Sequence, residues 1–135
     1  MADQNAAVAV TDQRWFDFLS KETIDGRLDE VNFWRPLAQN KFRLLSSGEP
    51  LFFRLRHPIN SIVGYGFFST ATRIPITLAW DAFGRANGAS TRDGFLNRIA
   101  EYRRQTPAEL LLHGRDLTCV ILREVHFLLP DQWLL

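Results

Sequence analysis

Gly48-Glu49-Pro50-Leu51-Phe52-Phe53-Arg54-Leu55 is followed, after Arg56-His57-Pro58-Ile59-Asn60-Ser61, by Ile62-Val63-Gly64-Tyr65-Gly66-Phe67-Phe68. Residues 51–55 and 62–70 are rich in aromatic and β-branched side chains, which predicts two strands joined by a segment of hairpin-loop composition. Ser46-Ser47-Gly48-Glu49-Pro50 is a turn signal that opens the first of them. Gly64 and Gly66 inside the second predict a bulge, or a place where something approaches the backbone closely.

Outward from this pair the chain alternates irregularly. Upstream, Thr11 followed by Asp12-Gln13-Arg14-Trp15-Phe16-Asp17-Phe18-Leu19 predicts an N-cap and a short helix with Trp15, Phe18 and Leu19 on one face. Residues 23–30 read as a loop, 31–34 as a short strand, and 38–45 as one or two helical turns after Pro36. Downstream, residues 77–87 predict a helix ended by Gly88. Ser90-Thr91-Arg92-Asp93 starts another helix, with Phe95, Ile99 and Tyr102 on one face, that stops near Thr106-Pro107. Residues 117–123 form a strand, and 125–129 a further one before Pro130. No βαβ rhythm is present. The expectation is an α+β fold: a small curved, mostly antiparallel sheet or barrel with flanking helices.

The 135 residues, 46% hydrophobic and 13% aromatic, suffice for one domain with its own core. Residues 1–10 are expected to be a flexible N-terminus and 11–135 a single domain. No apolar run reaches membrane-span length, and the first ten residues lack the basic start of a signal peptide. The single cysteine, Cys119, lies in an apolar run and reads as a small core residue, so the expected location is cytoplasmic.

Charge is unevenly placed. Residues 1–30 hold seven acids and three bases, 31–104 eleven bases and four acids, and 105–135 two bases and four acids. The middle is basic, and fourteen of the sixteen bases are arginine. The planar guanidinium fork matches phosphate and base edges, although a solvated surface uses the same residue.

His57, His113 and His126 are scattered and no metal-ligand spacing occurs. The phosphate-loop, dinucleotide and Gly-x-Ser-x-Gly patterns are absent, since Gly64-Tyr65-Gly66 lies within a strand. No cofactor is implied, and the reading is of a binding domain rather than an enzyme. The positive case is a base pocket. Trp34, Tyr65, Phe67, Phe68 and Trp80 offer stacking faces, and Asn32 and Gln39 offer amides that match a Watson–Crick edge. Arg35, Arg43, Arg54, Arg56 and Arg73 offer phosphate contacts, and Phe33 belongs to the same run. The bland alternatives are specific. Period two puts Phe67 and Phe68 on opposite faces, so one of them is core. Trp15 and Trp80 suit a core, Arg54 and Arg56 a solvated surface, and His57 a loop.

Val31-Asn32-Phe33-Trp34-Arg35-Pro36, the Gly-Glu-Pro strand, Ile62-Val63-Gly64-Tyr65-Gly66-Phe67-Phe68 and Leu78-Ala79-Trp80-Asp81-Ala82-Phe83-Gly84-Arg85-Ala86-Asn87-Gly88-Ala89 together resemble the N-terminal region of bacterial HNH-type restriction endonucleases. That resemblance runs from about Thr11 to the end. It also extends, more distantly, to the PUA-like superfamily with its EVE, YTH and SRA domains. It implies a module that takes a modified, flipped DNA base into an aromatic pocket within a modification-dependent restriction system. Asn32, Trp34, Arg35 and Gln39 would line that pocket, with residues 65–68 opposite, and a fused or separate HNH nuclease would do the cutting. A small-molecule or protein-interaction module on the same fold is the alternative. An ASCH-like hydrolase would need a Lys/Glu pair that this sequence does not place.

Overall fold

The computed structural model describes residues 5–36, 45–114 and 116–135. Five strands, β1 (Ala7–Thr11), β2 (Arg27–Asn32), β3 (Pro50–Leu55), β4 (Ile62–Pro75) and β5 (Asp116–Phe127), form one sheet in the order β1-β3-β4-β5-β2. Among the described residues the β1–β3 pair is parallel and the other pairs are antiparallel. Helices α1 (Gln13–Glu22), α2 (Ile76–Phe83), α3 (Arg92–Arg103) and α4 (Pro107–His113) flank it, with a 3₁₀ turn at Gly84–Asn87. The expected α+β class holds, and the sheet stays open, with β1 and β2 as its edges.

The paired runs form as expected, because Leu51, Phe53 and Leu55 turn one way into the core while Phe52 and Arg54 turn the other. Gly64 and Gly66 sit opposite Phe53 and Leu51. A Cβ on Gly64 would lie 2.5 Å from the His126 carbonyl oxygen and 3.2 Å from the Phe53 ring. The close approach that the two glycines signal is therefore made by the protein's own strand β5 and core rings. Register shifts between Tyr65 and Phe67 accompany it.

Helix α1 begins one residue later than expected. Asp12, not Thr11, is the cap, accepting from the backbone N–H of Arg14 at 2.7 Å and of Trp15 at 3.3 Å. The buried face carries Trp15, Phe16 and Leu19. Trp15 meets Phe33 and Phe53 edge-on, both with ring centroids 5.2 Å away. Trp34, Trp80 and Phe95 pack a second layer between the sheet and α2 and α3, with Cys119 fully buried.

Several expectations change. Residues 7–10, expected to be flexible, are sheet: the Ala-Val-Ala-Val alternation pairs with β3 from Ala7↔Leu51 to Thr11↔Leu55. Part of the expected loop 23–30 is β2, held by β5. The strand expected at 62–70 runs on to Pro75, and those expected at 117–123 and 125–129 are one continuous β5, in which Glu124 takes a positive φ of 50°. Helix α4 follows a capping box in which Thr106 and Glu109 satisfy each other's backbone N–H groups. The helical turns expected over 38–45 lie, but for Leu45, outside the described residues.

Candidate nucleic-acid interface

The structure disperses the residues that the sequence groups into one pocket. Asn32 is fully buried and Trp34 is 7% exposed. Asn32 Nδ2 donates to Asn87 Oδ1 at 2.8 Å, and Trp34 Nε1 donates to the Asn87 carbonyl at 2.7 Å. Asn87 Nδ2 in turn donates to the carbonyls of Ala79 and Gly84. This network fastens the α2 end to β2. The expectation that Asn32 and Trp34 line a base pocket is thus corrected: both side chains are buried and their N–H groups serve the fold, because Asn87 arrives from the far end of α2. Phe33 is corrected likewise, stacking on Phe53 at 5.7 Å with planes 10° apart. Phe68 packs against the core, while Phe67 faces the other way. Arg35 and Arg73 are exposed, on either side of Thr118 of β5. Gln39 and Arg43 lie outside the described residues.

Two features remain on the surface. The first is a polar cavity of about 490 Å³ lined by Asp12, Arg14, Arg56, His57, Glu101 and Tyr102 among others. The parallel pairing creates it. Thr11 is opposite Leu55, so β1 and β3 end together and release Asp12 and the Arg56–His57 loop at the same edge. Helix α3 brings Glu101 and Tyr102. Arg14 bridges Asp12 at 2.9 Å and Glu101 at 2.7 Å, and the Tyr102 hydroxyl donates to Asp12 Oδ2. Burial pushes the Asp12 carboxyl up. Hydrogen bonds from Arg14, Tyr102 and the Trp15 N–H, with the Arg14 charge, outweigh it and hold the pKa at about 2. Burial and the same carboxylate push the Tyr102 phenol above its ordinary value, while the nearby Arg56 charge acts in the opposite direction. Near neutral pH the cavity floor is therefore an ionised carboxylate and a neutral phenol. Arg56 makes no ion pair among the described residues.

The second feature is the sheet face turned away from Phe53. Val8, Phe52, Tyr65, His126 and Arg27 are register partners in one row across all five strands. Tyr65 and His126 stack at 5.0 Å with planes 8° apart, and Phe52 and Phe67 lie 6.0 and 5.9 Å from Tyr65. Val10 and Arg54, paired in the neighbouring row, are exposed, and Arg54 leads along β3 toward Arg56.

Of the residues named from the sequence, Arg54, Arg56, Tyr65 and Phe67 lie at these two features, whereas Asp12, Arg14, Glu101, Tyr102 and His126 are not among the candidates. Asp12 and Tyr102 are 90 positions apart, and the only local signal near Asp12 is the N-cap read at Thr11. Among the described residues no three His, Cys, Asp or Glu side chains form a metal-holding group, and no helix is long and apolar enough to cross a membrane.

No family model matches this chain, and no curated protein does. Solved structures do. ASCH from Zymomonas mobilis superposes with a TM-score of 0.55 at 16% identity, covering 96% of this chain and 77% of that one. A serine-to-alanine variant of the same protein gives 0.53 at 13% identity, with 92% and 71% covered. A tyrosine-to-phenylalanine variant gives 0.51 at 13%, with 97% and 78% covered. The chain thus has the α+β fold of these ASCH structures, built on a five-stranded sheet that does not close among the described residues.

Proposed function

We propose that this chain is a non-catalytic nucleic-acid-binding module that receives an unstacked nucleotide in the Asp12–Tyr102 cavity. The observation that carries the reading is Arg56, a guanidinium without an ion-pair partner among the described residues, beside a polar cavity of about 490 Å³. That volume lies within the range of small-molecule sites, and a guanidinium at the rim suits a phosphate. The floor suits recognition rather than proton transfer, because Asp12 and Tyr102 are held in charge states that do not change near neutrality. The PUA-like fold is compatible with this reading but does not specify the ligand.

The finer reading keeps the modified, flipped base of a restriction system and moves it from Trp34 to this cavity, with an HNH nuclease as the cutting partner. It rests on the motif resemblance. The test is salt-dependent binding to matched duplexes and single strands, unmodified or carrying 5-methylcytosine, 5-hydroxymethylcytosine or 6-methyladenine, with Arg56→Ala as the cavity variant. Affinity should fall with salt, and Arg56→Ala should weaken it and reduce the salt slope by about one. Preference for one modified duplex supports the restriction reading. Equal, negligible or salt-insensitive binding to every probe overturns the proposal.

A further inference from the structure

The open sheet face offers a chemistry that the cavity does not. Phe52, Tyr65, Phe67 and His126 are partly exposed, and the other three rings gather around Tyr65 on the face opposite the Phe53 core. Aromatic planes laid side by side on a sheet accept unpaired bases by stacking, and flanking guanidinium groups hold the intervening phosphates. Both components are present. Arg27 ends the aromatic row, and Arg54 sits beside it. Both are exposed and neither makes an ion pair among the described residues. Arg123, opposite Phe67, is shared with Glu30 at 3.7 Å.

We infer that this face binds single-stranded nucleic acid, with bases stacking on Phe52, Tyr65 and Phe67 and phosphates held by Arg54 and Arg27. The inference rests on the reading of the chain as a nucleic-acid binder and extends it to a second surface. Continuity with the cavity supports it. Arg54 and Arg56 are two residues apart on the same exit from β3, so a strand leaving the cavity meets the aromatic row within roughly 13 Å, four residues at about 3.3 Å each. A second copy of the chain is the competing occupant, since Val8 is 60% and Val10 44% exposed at the edge strand. The exposed Arg27 and Arg54 guanidinium groups favour a polyanion over an identical surface carrying the same charges.

The experiment is fluorescence anisotropy of labelled 12-mer oligothymidylate, oligouridylate and a matched 12-base-pair duplex. It compares the wild type with Tyr65→Ser, Arg54→Glu and the cavity variant Arg56→Ala. Arg54 is exposed, so its variant keeps the test valid should Tyr65→Ser fail to fold. Tyr65→Ser and Arg54→Glu should each weaken single-strand binding about ten-fold or more, and duplex binding far less. The two single-stranded probes separate DNA from RNA. Single-strand binding that depends on Arg56 but is indifferent to both face variants overturns this inference and leaves the cavity reading standing. Absence of salt-dependent binding to any probe overturns both. A concentration-dependent dimer in sedimentation, abolished by Tyr65→Ser, assigns the face to a second copy and also overturns it.

Discussion

Asn32 Nδ2 donates to Asn87 Oδ1 at 2.8 Å between side chains that are both fully buried. The bond joins β2 to the turn after α2, and through Asn87 it reaches Trp34, Ala79 and Gly84. A residue that resembles a base-reading amide in sequence is thus the fastening of the helical layer.

Asn87→Ala should therefore destabilise the fold by about 2–4 kcal/mol, since it strands the Asn32 amide and two backbone carbonyls without partners. Urea unfolding followed by tryptophan fluorescence measures this. A loss below about 1 kcal/mol would show that the network is dispensable. Trp34→Ala should cost about 3–5 kcal/mol by the same assay, as for other buried large-to-small changes.

Gly88 takes a φ of +83°, and a Cβ there would lie 2.3 Å from Trp15 Cδ1. Gly48 has a similar φ of +89° with nothing within 4 Å. Gly48→Ala should cost about 1 kcal/mol from backbone conformation alone. Gly88→Ala should cost at least about 2 kcal/mol more, because Trp15 cannot yield without disturbing its contacts with Phe33 and Phe53. Equal midpoints for the two variants would contradict the predicted clash.

Asp12 sets an acid limit. Its folded pKa, about 2, lies below the ordinary 3.8, so its stabilising contribution is complete above pH 4 and is lost as pH falls through about 2. The difference corresponds to ~2 kcal/mol for a side chain only 14% exposed. Asp12→Asn keeps a capping side chain but loses the charge. Its stability should fall less than the wild type's between pH 5 and pH 2, by about that amount. Parallel pH profiles would place the acid-sensitive group elsewhere.

Tyr102→Phe removes the phenol that donates to Asp12 and leaves the ring against Trp34 at 6.3 Å. We expect a loss of about 1–2 kcal/mol and a rise in the Asp12 pKa. Nuclear magnetic resonance titration of the Asp12 carboxyl carbon checks the rise, and an unchanged value would mean that Arg14 alone sets it.

Much of this architecture is legible locally. The Gly-Glu-Pro turn and the alternation after it placed β3 and β4, and the Phe67–Phe68 alternation put one ring outward and one inward as expected. Two elements carried signals that went unread: the Ala-Val-Ala-Val-Thr period of β1, and the Thr106-Pro107-Ala108-Glu109 capping box of α4. The candidate site was the less legible part. In sequence Arg56 is one of five arginines read as phosphate contacts, with a solvated surface as the alternative, and Asp12 is read only as the residue after the Thr11 cap. They meet because parallel pairing of β1 with β3 ends both strands at one edge, a fact of long-range register.

Legible from the chain alone were the strand pair, the starts of α1 and α3 to within one residue, the core position of Cys119 and the basic middle. All of these follow from side-chain period, turn chemistry and composition acting over a few residues. Which aromatics stay at the surface is set by long-range packing. Trp34 was held by Asn87, 53 positions away, and Phe33 was packed against the rings of Trp15 and Phe53. Val8, Phe52, Tyr65, His126 and Arg27 were gathered into one row from all five strands. Burial and cross-strand neighbourhood depend on sheet register, and a register shift of one residue would turn every one of these side chains to the other face.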